Sequence, residues 1–309
     1  MLRALPEPIP PRSEPPATSA PPAWSTAQLG RSSRSRDRYL QEPDGYPATT
    51  FPAIAAHAIA TYTRPGDLII DPTAGIGTTL VEAMHLDRMA IGVERDQGHV
   101  DLALRNIENA ADRGAPGFAA VVSGDARGME ALLGHDLYGK AALVLVSPPS
   151  ALTAHGVQVP CARRGDGFGD ALDVGHRDQM MAWFTQVLAG CRTLLKPGGF
   201  LVITVRAERR PGRVGEVAAV AANAALDAGF ALHERCAARL VAASECGQAP
   251  CASDFRLVHL GSTFALGGPG HIRAQEEIVV ACVGRLDDHS IESTGCGCVL
   301  DQRYNASSR

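Results

Sequence analysis

Three acidic residues stand where short apolar runs of the sequence end: Asp71, Glu94 and Asp125. Each run is too short for a helix and predicts a buried strand. Since the carboxyl ends of parallel strands meet at one edge of a sheet, we expect the three carboxylates to line one crevice. A carboxylate accepts hydrogen bonds, so this pattern predicts that Glu94 accepts from a ribose diol and Asp125 from an adenine amino group.

The turn that follows Asp71 contains two glycines, Gly75 and Gly77, and leads into Thr78 and Thr79. Glycine allows a tight turn and a close approach of the backbone to a ligand. Apolar residues resume at helical spacing after the threonines, so the free N–H groups of a helix start would point into the crevice. A strand, glycine loop and helix of this kind indicate a nucleotide-type cofactor, although dehydrogenases, kinases and methyltransferases all use one.

A serine and two prolines, Ser147, Pro148 and Pro149, follow the most apolar of the runs. Each proline locks its own φ angle and restricts the residue before it, so the turn is rigid and extended. The pattern is compatible with a simple stop after a strand. As a functional element, it would fix a serine hydroxyl and a backbone carbonyl at the mouth of the crevice.

Apolar runs alternate with segments of helical periodicity along most of the chain. This alternation predicts an α/β fold with a doubly wound, mostly parallel seven-stranded sheet in a single domain, at residues 41–284. Residues 1–40 are rich in proline, serine and arginine and predict a disordered leader, and residues 285–309 predict a disordered or loosely packed tail. The predicted strands cover residues 68–70, 90–94, 119–122, 141–146, 200–205, 230–240 and 276–283.

The net charge of −4 excludes a strongly basic protein, so contacts with a nucleic acid must come from local patches. Two such patches lie in segments expected to be loops, and they predict contacts with a phosphate backbone, a solvated loop being the alternative. No apolar run reaches the roughly 18 to 20 residues of a membrane helix, which predicts a cytoplasmic protein. The basic residues are Arg163 and Arg164 in the first patch and Arg206, Arg209 and Arg210 in the second.

The eight cysteines include two close pairs, Cys246 with Cys251 and Cys296 with Cys298. Neither pair has the two-residue gap of zinc ribbons and knuckles. We therefore expect reduced thiols and no metal site.

Three segments resemble the S-adenosylmethionine-dependent DNA amino-methyltransferases of the cytosine-N4 and adenine-N6 type. Residues 71–79 are similar to that family's cofactor motif, Asp-Pro-x-x-Gly-x-Gly-Thr-Thr. Residues 147–149 resemble its catalytic motif, Ser/Asp/Asn-Pro-Pro-aromatic. Residues 46–48, together with Phe51 and Pro52, look like the preceding segment that touches the methionine end of the cofactor. The resemblance extends from about residue 46 to residue 284 and implies a Rossmann-like class I methyltransferase fold.

The resemblance implies a cofactor, a substrate and a set of site residues. The cofactor is S-adenosylmethionine, and the partner is DNA. Ser147, Pro148 and Pro149 match the catalytic positions, and a serine first in that motif is usual in cytosine-N4 enzymes, so cytosine-N4 is favoured over adenine-N6. The positions that match cofactor contacts are Phe51, Asp71, Thr73, Gly75, Gly77, Thr78, Thr79, Glu94 and Asp125.

One position departs from the family pattern: Ser150 stands where an aromatic residue stacks on the flipped base. Loss of such a stack costs about 1 to 3 kcal/mol of substrate binding. Phe168 or Trp183 could replace the aromatic ring, or the chain could be a weakened member that binds S-adenosylmethionine or DNA without turnover. An RNA base methyltransferase is the nearest alternative. A nicotinamide dehydrogenase is disfavoured, because the third glycine of its fingerprint is Leu80 here.

Overall fold

The computed structural model describes residues 23–28, 38–40, 50–148, 174–205, 216–244, 247–250 and 275–284. These residues build one β-sheet with helices on both faces. The sheet contains the strands β1 (Ala23–Gln28), β2 (Leu68–Asp71), β3 (Met89–Glu94), β4 (Phe118–Ser123), β5 (Ala141–Val146), β6 (Leu195–Val205), β7 (Ala231–Ser244), β8 (Gly247–Pro250) and β9 (Gln275–Cys282).

The strands lie in the order β1-β7-β9-β6-β5-β2-β3-β4, with β8 beside β7. All pairs among β2 to β6 are parallel, whereas β9 is antiparallel to both of its neighbours. The predicted doubly wound, mostly parallel sheet is confirmed, and its seven predicted strands are all present. The sequence did not predict β1 and β8. Strand order reverses between β2 and β5, which places a ligand crevice at the carboxyl ends of these two strands.

Helices cover both faces of the sheet because successive strand residues point to opposite sides. Ile70 and Val144 pack in one apolar cluster with the helices α5 (Val174–Leu194) and α6 (Glu216–Asp227). Ile69 and Leu143 pack in the other cluster with α1 (Pro52–Tyr62) and α2 (Thr78–His85). No helix within the described ranges is long and apolar enough to cross a membrane. The helices are α1 (Pro52–Tyr62), α2 (Thr78–His85), α3 (Gln97–Asp112), α4 (Met129–Leu133), α5 (Val174–Leu194) and α6 (Glu216–Asp227).

Part of the predicted disordered leader is ordered. Strand β1 pairs in parallel with β7, and Trp24 within it is buried. The indole ring of Trp24 contacts His57 and Tyr62 of α1, with centroid separations of 4.6 and 6.1 Å. These residues fall within the predicted leader, where one large aromatic side chain supplies burial that the average composition of residues 1–40 conceals.

A second ordered piece of the leader, residues 38–40, packs against α2 and α3. The guanidinium of Arg38 and the hydroxyl of Tyr39 both donate to the carboxylate of Glu82, which is fully buried in α2. The backbone N–H of Leu40 donates to Asn106 Oδ1 at 2.7 Å. A buried carboxylate needs partners, so this contact fixes residues 38–40 on the two helices. We call residues 38–40 the N-terminal clasp.

Candidate active site

The glycine loop connects the carboxyl end of β2 to the start of α2. Gly75 and Gly77 have φ angles of 52° and 85°, in the left-handed region that favours glycine. A Cβ atom on Gly77 would lie 3.2 Å from the Cβ of Ala103 in α3, so the loop packs closely against that helix. Asn106, also in α3, donates from Nδ2 to the carbonyl of Ile76 at 2.9 Å. The backbone and the neighbouring helix therefore fix the loop in one conformation.

Asp71 ends β2 and is buried at the base of the glycine loop. Its Oδ1 accepts the backbone N–H of Thr73 at 2.9 Å, which sets the direction of the chain as it enters the loop. Burial raises the pKa of Asp71 to about 6, despite hydrogen bonds that favour the charged form. Thr78 and Thr79, in the first turn of α2, are buried as well.

Glu94 ends β3 and accepts three backbone hydrogen bonds. One oxygen accepts the N–H of Gly75 at 2.9 Å, and the other accepts the N–H groups of Arg95 and Asp96 at 2.8 and 2.9 Å. Burial would raise the pKa of Glu94, but bonds from His99, Asp96 and Gly75 outweigh burial and lower it. Oε2 accepts a single backbone N–H, so one of its two acceptor positions remains for a ligand hydroxyl.

Asp125 lies two residues beyond the end of β4 and pairs with an arginine of this chain. Arg127 Nη2 lies 2.6 Å from Asp125 Oδ2, and the backbone N–H of Arg127 donates to Asp125 Oδ1 at 2.9 Å. The hydrogen bonds from Arg127 lower the pKa of Asp125. Because the pair is partly exposed, an amino group that binds Asp125 must compete with the guanidinium for the same oxygen atoms.

Ser147 and Pro148 follow β5 and are buried beside three threonines. The hydroxyl of Ser147 lies 2.5 Å from the hydroxyls of both Thr50 and Thr204. Thr50 immediately precedes the residue that caps α1, and Thr204 is next to last in β6. Thr73 of the glycine loop donates from Oγ1 to the carbonyl of Ser147 at 3.2 Å. Three other segments of the chain thus converge on one serine.

The structure brings together most of the sequence-predicted residues that it describes. The glycine loop, Glu94 and Ser147 are linked by direct hydrogen bonds. Phe51 is next to Thr50, but its ring is buried in the apolar cluster that contains α1. Trp183, suggested as a replacement aromatic, is half-buried and packs against the cluster that contains α5.

Several predicted positions lie outside the described residues. They include the third and fourth residues of the catalytic motif and both basic patches. These positions are 46–48, Pro149, Ser150, Arg163, Arg164, Phe168, Arg206, Arg209, Arg210 and the cysteine pairs 246/251 and 296/298.

Sequence reasoning missed three residues of the site: Thr50, Thr204 and Arg127. Thr204 is a polar residue within the apolar run that ends β6, and such a position is a signal that could have been used. Thr50 directly precedes the Phe-Pro pair of the segment that resembles the family. Arg127 follows an acid by two residues, a spacing that allows a local side-chain pair.

Comparisons with known proteins include a match to the part of the chain that contains the glycine loop. Residues 16–105 match the model of the N6/N4 DNA methylase family, a range that includes the glycine loop and Glu94 and ends before Ser147. The DNA adenine methyltransferase YhdJ of Escherichia coli (strain K12) is 32% identical over 87 residues. That alignment covers 28% of this chain and 30% of the relative, so it spans less than a third of the relative's length.

Two solved structures are similar in fold. TrmN from Thermus thermophilus is 19% identical, with 77% of this chain and 50% of that chain covered and a TM-score of 0.45. A precorrin-6y C5,15-methyltransferase from Geobacter metallireducens GS-15 is 12% identical, with 81% and 96% covered and a TM-score of 0.46. The strand order, and not these TM-scores, establishes the fold.

Proposed function

From the match of residues 16–105 to the N6/N4 DNA methylase family, we propose that this chain is an S-adenosylmethionine-dependent methyltransferase. Its substrate is the exocyclic amine of a base in DNA. The observation that carries the proposal is the hydrogen bond from Thr73 to the carbonyl of Ser147. This bond joins the loop expected to hold the cofactor to the turn expected to hold the amine, as methyl transfer between the two requires.

The residues at the strand ends fit the cofactor. A nucleoside presents hydroxyl and amino donors, and Glu94 and Asp125 present acceptors at neighbouring strand ends. The glycine loop allows a ligand to approach its backbone closely. S-adenosylmethionine, when bound, supplies a methyl group carried on a sulfonium ion. Glu94, Asp125 and the glycine loop would hold its nucleoside portion.

The Ser147 turn fits an amine that must be oriented. An exocyclic amine conjugated to a base ring is a poor nucleophile, because its lone pair is delocalised into the ring. The Ser147 hydroxyl and the Pro148 carbonyl would accept the two N–H bonds and aim the lone pair at the methyl group. Positioning of this kind contributes up to about 7 to 11 kcal/mol to lowering a barrier. No side-chain nucleophile is required.

We favour the N4 amine of cytosine as the substrate, because serine leads the catalytic motif. The N6 amine of adenine is the second candidate, since the E. coli relative is an adenine methyltransferase by name. In a duplex, either base must be flipped out of the stack before it reaches Ser147. The basic patches at Arg163 and Arg164 and at residues 206–210 would contact the phosphate backbone around the flipped base.

Methyl transfer from labelled S-adenosylmethionine to mixed-sequence duplex DNA tests the proposal. The DNA is digested and the label is assigned to a nucleoside, with single-stranded RNA as the parallel substrate. We expect the label in N4-methyldeoxycytidine. Label in N6-methyldeoxyadenosine would support the proposed reaction but show that the base is adenine. Label in RNA alone would show that the substrate is RNA.

The same experiment separates an active enzyme from a weakened member of the family. Cofactor binding is measured by calorimetry on the same protein. Binding of S-adenosylmethionine without label in DNA or RNA would contradict the proposed activity and would favour a binding function. Ser150, in place of the usual aromatic residue, is the sequence feature that motivates this control.

A further inference from the structure

The hydroxyl of Ser147 lies between two other buried hydroxyls. The exposed fractions of Thr50, Ser147 and Thr204 are 5%, 9% and 3%. Within β6, the neighbours Ile203 and Val205 pack into the apolar cluster on one face, so Thr204 points to the opposite face. A polar side chain at such a position requires a hydrogen-bond partner, and Ser147 provides it.

The number of hydrogens in this cluster limits what Ser147 can do. A hydroxyl donates one hydrogen bond and accepts two. If Ser147 donates to one threonine and accepts from the other, one lone pair is left to accept an N–H bond from a base. If both threonines donate to Ser147, both of its lone pairs are used and its own hydrogen points outward. The two threonines therefore decide whether Ser147 accepts or donates.

We infer that Thr50 and Thr204 are positioning residues for methyl transfer, which direct the free lone pair of Ser147 towards the amine. This inference rests on the proposed function. Thr50 reaches Ser147 from the segment before α1, and Thr204 reaches it from β6, so the hydroxyl is held from two sides. With either threonine replaced, the hydroxyl of Ser147 rotates about its Cβ–Oγ bond and no longer presents a fixed acceptor.

Substitution of Thr204 tests the inference in the full chain. Thr204→Val removes the hydroxyl with little change of shape, and Thr204→Ser retains it. We expect Thr204→Val to lower kcat by about 10- to 100-fold, as for other losses of alignment. KM for DNA and the Kd for S-adenosylmethionine should stay within about threefold, because the cofactor loop is unchanged. Thr204→Ser should recover most of the lost kcat.

Two further variants separate positioning from folding. Thr50→Val should lower kcat in the same way as Thr204→Val, which keeps the test valid if the β6 variant does not fold. Thr63→Val is the matched control, because Thr63 is also buried but donates its hydroxyl to Ile59 at the other end of α1. It should lower the thermal stability and leave kcat unchanged.

A kcat for Thr204→Val within about threefold of wild type would overturn the inference, and so would an equal loss in Thr204→Ser. A loss of cofactor affinity as large as the loss of kcat would point to a structural role and would also overturn it. These results leave the proposed function intact, since the wild-type protein still transfers the methyl group. Absence of transfer by the wild-type protein would overturn both proposals.

Discussion

The two halves of the crevice are built from different polar groups. At the ends of β2 and β3, the carboxylates of Asp71 and Glu94 accept hydrogen bonds from backbone N–H groups. At the ends of β5 and β6, the hydroxyls of Ser147 and Thr204 bond to one another. A carboxylate anchored by backbone donors has a fixed direction of hydrogen bonding, whereas linked hydroxyls can exchange donor and acceptor roles.

We expect this difference to correspond to two separate functions, cofactor binding and methyl transfer. In the carboxylate half, the donors at Thr73, Gly75, Arg95 and Asp96 belong to the backbone and cannot rotate away. The hydroxyl half depends entirely on side chains, so single substitutions can alter its direction of hydrogen bonding. We therefore expect substitutions among the carboxylates to weaken cofactor binding, and substitutions among the hydroxyls to slow methyl transfer.

Ser147→Ala should give the largest effect. Removal of the hydroxyl takes away an acceptor for the amine, and we expect kcat to fall by about 100-fold or more. The Kd for S-adenosylmethionine should stay within about threefold by calorimetry, because the glycine loop retains all its backbone contacts. If cofactor binding were lost together with methyl transfer, the two halves would not have separate roles.

Glu94→Ala should show the opposite pattern. The substitution leaves the N–H groups of Gly75, Arg95 and Asp96 without their acceptor. Hydrogen bonds to a charged group contribute about 1.5 to 3 kcal/mol each, so we expect the Kd for S-adenosylmethionine to rise by about 10- to 100-fold. Glu108→Ala, an exposed position on α3, is the matched control and should leave the Kd unchanged. An unchanged Kd for Glu94→Ala would contradict its role.

Thr73→Val should have a smaller effect that reaches both halves. The Thr73 hydroxyl is the group that joins the glycine loop to the Ser147 carbonyl. We expect kcat to fall by about tenfold, with Thr73→Ser close to wild type, because one neutral hydrogen bond contributes about 0.5 to 1.5 kcal/mol. Equal kinetics for the valine and serine variants would show that the two halves act without this link.

Substitution of Asp71 should give the smallest effect, which is on the stability of the fold and depends on pH. Burial raises its pKa from 3.8 to about 6, so the folded state binds the proton more tightly than the unfolded state. The stabilisation is fully present below pH 3.8 and is lost as the pH rises through about 6, with a slope of at most about 1.4 kcal/mol per pH unit. Asp71→Asn should remove this slope in urea unfolding between about pH 4 and pH 6.

His85 contributes a pH dependence of stability opposite in sign to that of Asp71, and this contribution is present in both the wild type and Asp71→Asn. Burial, together with the smaller effect of the charges of Arg38 and Arg113, lowers the pKa of His85 from 6.5 to about 4. Its unfolded state therefore binds more protons, and its contribution to stability rises with pH over the same range. Relative to wild type, Asp71→Asn should gain stability as the pH rises. Parallel profiles for the two proteins would exclude a raised pKa for Asp71.

Most of the sheet could be predicted because its strands carry their own signals. The fully apolar run of β5 and the acid that ends β3 are both visible in local sequence, and both are found as expected. The convergence of the glycine loop on Ser147 followed from the rule that parallel strands present their carboxyl ends at one edge. The pairing of Thr204 with Ser147 could not follow, because it depends on the register of two strands that pair far apart in sequence.

The pieces of residues 1–40 that the structure describes depend on contacts with distant parts of the chain. Composition averages over residues 1–40, whereas Trp24 packs against His57 and Tyr62, and Arg38 donates to Glu82. Glu82 would read as an exposed helical residue, yet it is fully buried beneath the N-terminal clasp. The buried charge of Glu82 is stabilised by its partners Arg38 and Tyr39, which local sequence patterns do not identify.

The pairing of β1 with β7 has a consequence for the order in which the sheet is completed during synthesis. Ala23 pairs with Ala237, so β1 leaves the ribosome long before the strand with which it pairs. Strands β2, β3 and β4 are adjacent in both sequence and space and can assemble early. In a nascent chain, the indole of Trp24 can pack against α1 early, whereas the backbone of β1 stays unpaired until β7 emerges.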